Sequence, residues 1–282
     1  MKLKITKSTT YEYAEPVSFS PHHVRLFPRT DLFAKVERIL FSTTPDADIQ
    51  YRQDLFDNII AYCFYPTASK TLPFHFEMLI EVQEKNPFHF LLDSNGLTIP
   101  PQYKQEEEEL LSPYLKPVQG ASLPQPLAPC ANRPTVETLV NFIHWIHDNI
   151  AYEQRIEGQP RSPQETLDNS SGSCRDMAAL LTEALRQNKV AARLASGFVW
   201  EGDKNDTDKR ALSSMHLWVE ACLPGAGWIG LDPTNGVLTD HHFVTTAVGR
   251  RHSDVAPVTG AYYSSRDVPS HMKSSVTVEK VD

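Results

Sequence analysis

The chain has 282 residues, of which 40% are hydrophobic and 22% are charged, proportions that are typical of globular proteins and argue against disorder. Its length accommodates one large domain or two of ordinary size, each able to bury a core. The formal net charge of −8 opposes binding to nucleic acid and to anionic membranes, so we expect neither as a partner.

The N-terminal segment and the cysteines indicate the cellular compartment. No apolar run is long enough for a signal peptide or a membrane span, so we expect a cytoplasmic protein. The cysteines are widely scattered and include no C-x-x-C pair, which argues against a disulfide framework and against a zinc site built from thiolates. They are Cys63, Cys130, Cys174 and Cys222.

The first hundred residues predict β-strands. The clearest strand covers residues 74–82, where every second residue is apolar, as a half-buried antiparallel strand requires. Weaker strand patterns cover residues 3–13, 34–42 and 58–65, and no convincing helix interrupts them. We therefore expect an antiparallel β-sandwich domain over residues 1–112.

The composition changes after the predicted sandwich. Residues 105–111 are acidic and are compatible with a short helix. Prolines then recur from Pro113 to Pro134, a frequency that argues against regular structure. We expect residues 113–134 to form a linker between two domains.

The second half of the chain predicts helices followed by strands. Residues 135–149 and 174–188 carry apolar residues with the period of an amphipathic helix. This order of elements indicates an α+β domain over residues 135–282. The strand patterns cover residues 191–200, 215–223, 228–232 and 243–248.

Cys174 stands at a predicted helix start. Ser173 suits the N-cap position, and Asp176 lies three residues further on, a spacing that resembles a capping box. Cys174 is then the first helical residue, where free backbone N–H groups and the helix dipole favour a thiolate and can receive an oxyanion. From this segment alone, Cys174 is either a nucleophile or a small buried residue.

A predicted hairpin brings a histidine and an aspartate to one face of a sheet. The alternation in residues 215–223 places His216 opposite the apolar face, and residues 224–227 form a turn. The return strand ends at Asp232 on the face that carries His216, so that the carboxylate can orient the imidazole. The alternatives are a histidine satisfied within its strand and an aspartate that belongs to the turn before Pro233.

Several segments, in their order along the chain, resemble the core motifs of the transglutaminase-like superfamily. These segments are GSCRD (172–176), GF (197–198), HLWVE (216–220) and GWIGLDPT (227–234). Parts of residues 11–29 are similar to the N-terminal β region of its bacterial members, and residues 249–260 resemble their C-terminal segment. In one departure, Leu217 follows His216 where alanine is commoner in the family, with no consequence for the chemistry.

The resemblance implies a fold and a set of site residues. The implied fold is an N-terminal β-sandwich followed by a papain-like α+β domain, in which helices pack on an antiparallel sheet. The implied roles are nucleophile for Cys174, general base and acid for His216, and orienting carboxylate for Asp232. No substrate is implied, because the relatives include crosslinking enzymes, amidases, proteases and members without catalytic activity.

We therefore expect an enzyme that transfers an acyl group from a peptide or protein amide through a thioester on Cys174. Hydrolysis of the amide is the first expectation. Crosslinking by transamidation of glutamine and a non-catalytic peptide-binding module on the same fold are the alternatives. The triad requires no metal and no cofactor. Trp218 and Trp228 are expected either to wall the cleft and bind substrate or to lie in the core.

Other patterns are interpreted without a functional role. Residues 225–230 match G-x-G-x-x-G, but Pro233 argues against the helix that a dinucleotide site needs. The histidine pairs at 22–23, at 144 and 147, and at 241–242 are interpreted as solvated or packed side chains rather than metal ligands. Residues 201–211 are polar and are expected to form a mobile flap over the site. The oligomeric state is not predicted.

Overall fold

In the computed structural model, the described residues are 1–118, 120–155, 158–202 and 215–281. Most of the predicted flap, residues 201–211, therefore lies outside the described residues. None of the helices in the described ranges combines the length and the apolar character needed to cross a bilayer. The cytoplasmic location stays a prediction.

The first 82 residues form β-strands, and the four predicted strands are confirmed. The sequence does not predict β4, because most of its side chains are exposed and no alternating apolar pattern results. The strands are β1 (Lys2–Phe19), β2 (His22–Val24), β3 (Ala34–Thr43), β4 (Asp48–Gln53), β5 (Ile59–Phe64) and β6 (Ser69–Val82).

These strands build two sheets with a common core. In one sheet β6 pairs with β1 on one side and with β3 on the other, and in the second sheet β5 lies between β2 and β4. Leu3, Ile5 and Phe76 from the first sheet pack with Ala61 and Cys63 from the second. The predicted antiparallel sandwich is confirmed.

The segment between the sandwich and the second half contains more regular structure than its prolines predict. A 3₁₀ turn (Ser94–Gly96) precedes β7 (Thr98–Ile99), which pairs with β8 (Arg133–Pro134), and α1 (Gln105–Leu115) lies between these strands. Regular structure therefore lies at both ends of the predicted linker. Pro113 lies in the last turn of α1, where it removes one hydrogen bond, and the helix ends two residues later.

The second half contains the predicted helices and strands, each confirmed to within one residue at either end. Each element extends as far as its apolar residues recur with the period of a helix or of a strand, and these residues face a single core. The elements are α2 (Thr135–Asn149), β9 (Ala151–Tyr152), α3 (Pro163–Asn169), β10 (Ser171–Gly172), α4 (Cys174–Gln187), β11 (Ala191–Val199), β12 (His216–Leu223), β13 (Gly227–Asp232), β14 (Val237–Leu238), β15 (Phe243–Gly249) and α5 (His252–Val255).

An antiparallel sheet in the order β14-β13-β12-β11-β15 carries the helices on one face. Phe142 of α2 and Leu181 of α4 are fully buried, and they pack with Val219 and Ala221 of β12. The α+β architecture with helices on an antiparallel sheet is confirmed.

The C-terminal strands return to the N-terminal sandwich. They are β16 (Val258–Thr259), β17 (Tyr262–Tyr263) and β18 (Ser270–Val281). β16 pairs with β2, whereas β17 and β18 pair with β1, the latter in a continuous register from Lys2 opposite Val281 to Tyr13 opposite Ser270. The boundaries 1–112, 113–134 and 135–282 stay a prediction. β18 joins the sandwich because β1 offers it a free edge.

The contacts between the sandwich and the five-stranded sheet of the second half include a pair of stacked rings and a buried amide. The ring of Phe198 in β11 stacks on Phe76 in β6, with centroids 6.0 Å apart. The buried Asn58 amide donates to the carbonyl of Val248 and accepts from its N–H, both at 2.8 Å. These contacts fix the sandwich relative to the elements that carry the predicted site.

Candidate active site

Cys174 is the first residue of α4, and 8% of its surface is exposed. The Oδ2 atom of Asp176 accepts hydrogen bonds from the backbone N–H and the hydroxyl of Ser173, at 2.7 and 2.8 Å. This bond of Asp176 to the N-cap residue is the one that the sequence predicts. At the first helical position the N–H of Cys174 has no acceptor within the helix, and the helix dipole stabilises negative charge there.

Asp176 also joins two further segments to the start of α4. Its Oδ1 atom accepts hydrogen bonds from Nη2 of Arg155 at 2.6 Å and from the backbone N–H of Arg161 at 2.7 Å. The side chain of Asp176 is completely buried, and Arg155 is its ion-pair partner. The carboxylate therefore fixes the backbone around Cys174.

His216 begins β12 and Asp232 ends β13. Val219 pairs with Leu231 in this hairpin, which places Asp232 diagonally across from His216. Nε2 of His216 lies 2.9 Å from Oδ2 of Asp232, and both side chains are completely buried. The structure thus brings the two side chains together as the alternation predicts, while their catalytic roles stay a prediction.

The Asp232 carboxylate is held by donors on the following turn. The backbone N–H of Thr234 donates to Oδ1 at 2.9 Å, and Nδ2 of Asn235 donates to Oδ2 at 2.8 Å. Burial raises the pKa of Asp232, but the charge and hydrogen bond of His216, together with these two donors, outweigh burial and lower it. Asp232 is therefore a carboxylate at neutral pH.

The ionised Asp232 determines the tautomer of His216. Because Asp232 accepts the proton of Nε2–H, the neutral imidazole carries its lone pair on Nδ1. In the described part of the chain Nδ1 is buried and has no hydrogen-bond partner. Burial lowers the pKa of His216, but Asp232, with a smaller contribution from nearby Cys174, raises it to about 10. The neutral imidazole is thus a strong base at Nδ1, and at pH 7 it holds a proton there.

Cys174 and His216 open onto a cleft of about 370 Å³ with two distinct walls. The catalytic wall comprises Ser173, Cys174, Arg175, His216, Leu217 and His252. The sandwich wall comprises Lys7, Thr9 and Tyr11 of β1 and Ser270, Met272 and Ser274 of β18. The N-terminal sheet therefore shapes the cleft, a role that the sequence does not assign to it.

Two basic side chains of the catalytic wall, Arg175 and His252, are constrained by their surroundings. Arg175 donates to the backbone carbonyls of Gly158 and Arg155, at 2.7 and 2.8 Å. Burial, and then the positive charge of Arg175, lower the pKa of His252 to about 4, so that its imidazole is neutral at pH 7. His216 is therefore the basic imidazole of this wall.

Neither Trp218 nor Trp228 is among the described residues that line this cleft, and their role in substrate binding stays a prediction. Trp218 is completely buried between His216, with ring centroids 6.2 Å apart, and Phe243, at 5.3 Å. The alternation correctly places Trp218 on the face of His216, but packing covers it there. The ring of Trp228 lies 4.1 Å below the guanidinium of Arg193, beside a different cavity.

The other cysteines are poor candidates for a nucleophile. Burial raises the pKa of Cys63 and that of Cys222 to about 11 each, so both are neutral thiols at pH 7. The Cys130 thiol donates to Oδ1 of Asn188 at 3.4 Å. All four cysteines are free.

Asp240, His241 and His242 bring one possible ligand atom each to within 4.8 Å of one another. The Asp240 carboxylate already accepts a hydrogen bond from Nδ1 of His242 at 2.8 Å. These residues are adjacent in sequence and are not part of the cleft lining. Of the predicted pair on α2, His147 binds the backbone carbonyl of Thr234 through Nδ1 at 2.8 Å, so it supports the turn after Asp232.

Sequence reasoning misses Lys7, Arg155 and Asn235. The signal for Lys7 is visible in β1, where the alternation of Leu3 and Ile5 continues to position 7 on the inward face. No local signal marks Arg155, because its partner Asp176 is 21 residues away.

Two family models match this chain. The model described as the transglutaminase-like superfamily matches residues 123–233, which contain Cys174, His216 and Asp232. The model described as the bacterial transglutaminase-like N-terminal region matches residues 3–81, which form most of the sandwich.

Similar proteins cover almost the whole chain. An uncharacterized protein of Mycobacterium tuberculosis (strain H37Rv) is 24% identical over 298 residues, covering 94% of this chain and 89% of the relative. An uncharacterized protein of Mycobacterium leprae is 24% identical over 262 residues, covering 93% of each chain. A crystal structure from Cytophaga hutchinsonii, described as a candidate cysteine protease, shares the fold with a TM-score of 0.72. It is 18% identical and covers 100% of this chain and 92% of its own.

Proposed function

We propose that this chain, which belongs to the transglutaminase-like superfamily, is a cysteine-dependent enzyme that hydrolyses an amide bond through a thioester intermediate. The observation that carries the proposal is the buried contact of 2.9 Å between Nε2 of His216 and Oδ2 of Asp232. This contact leaves Nδ1 of His216 as the proton acceptor for Cys174, which stands at the positive end of α4.

Before the substrate binds, Nδ1 of His216 has taken the proton of the Cys174 thiol, and the thiolate then attacks the carbonyl carbon of the amide. The backbone N–H of Cys174 donates to the oxyanion of the tetrahedral intermediate. The C–N bond then breaks, the amine leaves with the proton from Nδ1, and an acyl group remains on Sγ as a thioester. Asp232 keeps the imidazole in the required tautomer throughout.

In the second half, water replaces the amine. Nδ1 of His216 takes a proton from the water as its oxygen attacks the thioester carbonyl, and the proton returns to Sγ as the thiolate leaves. The products are a carboxylic acid and the free Cys174 thiol. The sequence of steps uses only residues of the catalytic wall together with Asp232.

The charge of the cleft supports hydrolysis over transamidation. Among the described residues that line it, there is no aspartate or glutamate, whereas Lys7, Arg155 and Arg175 are present. A lysine amine that served as acyl acceptor would approach as a cation and meet like charges, which costs free energy at short distance. Water carries no such penalty.

The first test is the pH dependence of iodoacetamide alkylation at each cysteine, followed by mass spectrometry in wild type and in His216→Ala. We expect Cys174 to react fast even at a pH well below roughly 8.5, the pKa of an ordinary thiol. His216→Ala should abolish this fast reaction. Cys63, Cys130 and Cys222 serve as internal controls in the same molecule. A Cys174 that reacts no faster than an ordinary exposed thiol would contradict the proposal and favour a peptide-binding module.

A second test separates hydrolysis from transamidation. With a glutamine-containing peptide library and a millimolar amine, we expect acid products without incorporated amine. Incorporation of the amine that disappears in Cys174→Ala would instead identify a crosslinking enzyme.

A further inference from the structure

Lys7 occupies an unusual position in β1. Leu3 and Ile5, on the same face of the strand, are completely buried in the sandwich core, and Lys7 continues this face into the cleft with only 5% of its surface exposed. Its cross-strand neighbours are Phe76 on β6 and Val276 on β18. The Lys7 side chain therefore leaves the strand between two apolar residues, and its ammonium group donates to the hydroxyl of Ser274 at the cleft.

The charge of Lys7 has no carboxylate partner in the described part of the chain. Its hydrogen bond goes to the hydroxyl of Ser274, which is neutral. Burial lowers the pKa of Lys7 to about 8, with no opposing contribution from an acidic group, and the side chain still remains mostly charged at pH 7. A buried cation without a counter-ion costs free energy, which a bound anion would recover.

The other cations of the cleft are already engaged by the protein. Arg155 forms its ion pair with Asp176, and Arg175 donates to two backbone carbonyls. An ammonium group has three donors, and one Ser274 hydroxyl occupies a single one of them. Lys7 is thus equipped to donate to a ligand.

We propose that Lys7 is a specificity residue, whose ammonium group binds a carboxylate of the acyl substrate in the cleft beside Cys174. This inference rests on the proposed function and names the substrate class, a peptide with a carboxylate near the scissile amide. The carboxylate belongs either to an acidic side chain or to a free C-terminus, and both are recognised by the same charge-assisted hydrogen bond.

The test uses pairs of thiol-reactive probes that differ only in charge. N-iodoacetyl-glycine and its amide compare a terminal carboxylate with a neutral group, while N-iodoacetyl-glutamic acid α-amide and N-iodoacetyl-glutamine amide compare a side-chain carboxylate with a neutral one. The measured quantity is the rate of Cys174 alkylation by the anionic probe divided by that of its neutral partner. Dividing one rate by the other cancels any general change in Cys174 reactivity. The same ratio measured with 2-mercaptoethanol gives the intrinsic difference between the two probes.

In wild type we expect one of the two ratios to exceed the 2-mercaptoethanol value by about tenfold or more, the size of a hydrogen bond to a charged group. Lys7→Met and Lys7→Gln should both remove this excess. Lys4→Met is the matched control, because Lys4 lies on the opposite face of β1 near Glu77, at 3.7 Å. It should retain the excess.

The outcomes distinguish this inference from the proposed function. In one outcome, Cys174 reacts fast with the neutral probes but neither rate ratio exceeds its 2-mercaptoethanol value. In another, Lys7→Met and Lys7→Gln retain the excess. In both cases the inference is wrong and the proposed function stands. If Cys174 reacts slowly with every probe, the proposed function fails and the inference fails with it. Melting temperatures verify that each variant is folded.

Discussion

On the catalytic wall of the cleft, His216 is buried against the carboxylate of Asp232, whereas on the sandwich wall Lys7 is buried with the neutral hydroxyl of Ser274 as its partner. Burial lowers the pKa of both side chains, but only His216 has an anion that reverses the shift, raising its pKa to about 10 while that of Lys7 falls to about 8. The free-energy cost of burying a positive charge is therefore compensated on the catalytic wall and left uncompensated on the sandwich wall.

This difference teaches how the two walls divide their tasks. In the proposed reaction, proton transfer needs a group whose orientation and charge are fixed before the substrate arrives, and the contact with Asp232 fixes both for His216. In the inferred recognition, the protein leaves the Lys7 ammonium group without a counter-ion, and the substrate carboxylate supplies it. Three substitutions break or sharpen this comparison.

The largest effect is expected on the catalytic wall. Cys174→Ala should reduce the release of p-nitrophenol from p-nitrophenyl acetate by about 10,000-fold or more, because no other group can form the acyl intermediate. Cys222→Ala should leave this rate unchanged, since the pKa of Cys222 is raised to about 11. Equal losses in the two variants would show that Cys174 is not the nucleophile.

A smaller effect is expected at the support of the catalytic wall. Asp176→Ala should lower the free energy of unfolding by about 3–5 kcal/mol, because it leaves Arg155 without its buried counter-ion and removes the bonds to Ser173. Urea denaturation at pH 7 measures this change. Asp168→Ala, on the exposed side of α3, is the control and should change stability by less than about 0.5 kcal/mol. A loss of similar size in Asp168→Ala would contradict the specific role of Asp176.

The smallest effect is expected on the sandwich wall and has the opposite sign. Lys7→Met should raise the free energy of unfolding at pH 7 by up to about 3 kcal/mol, because the pKa of Lys7 falls from 10.5 to about 8 on burial. Above pH 8 the folded chain loses this proton while the unfolded chain keeps it up to about 10.5. The stability of wild type therefore rises across this range, and the advantage of the variant should shrink.

Urea denaturation of wild type, Lys7→Met and Lys4→Met between pH 7 and pH 10.5 measures this trend. Lys4, whose side chain is 43% exposed and lies near Glu77, should show no comparable gain on substitution. A Lys7→Met variant less stable than wild type at pH 7 would mean that the ammonium group is compensated in the free protein, and the contrast between the walls would disappear.

The catalytic wall is largely predictable because its signals are local. The capping pattern at Ser173 and Asp176 fixes the start of α4, and the two-residue period of β12 and β13 brings His216 to Asp232. Each of these inferences needs a few neighbouring residues and one regular period.

The sandwich wall is not predictable in the same way. Periodicity within β18 does not say which strand it joins, and its partner β1 lies at the other end of the sequence. The burial of Trp218 is not predictable for a related reason. Strand alternation gives the face of a side chain, whereas its exposure depends on Phe243 and on the elements that cover that face.

The pairing of β1 with β18 has a consequence for the synthesis of the protein. Residues 2–13 leave the ribosome early, but their partners at 270–281 follow only after roughly 13–50 s at ordinary rates of translation. During that time one edge of β1 is unpaired and open to wrong partners, which makes the nascent chain dependent on protection from aggregation. Cys174, His216 and Asp232 are all synthesised before β18, so these three residues exist before the sandwich wall of their cleft is complete.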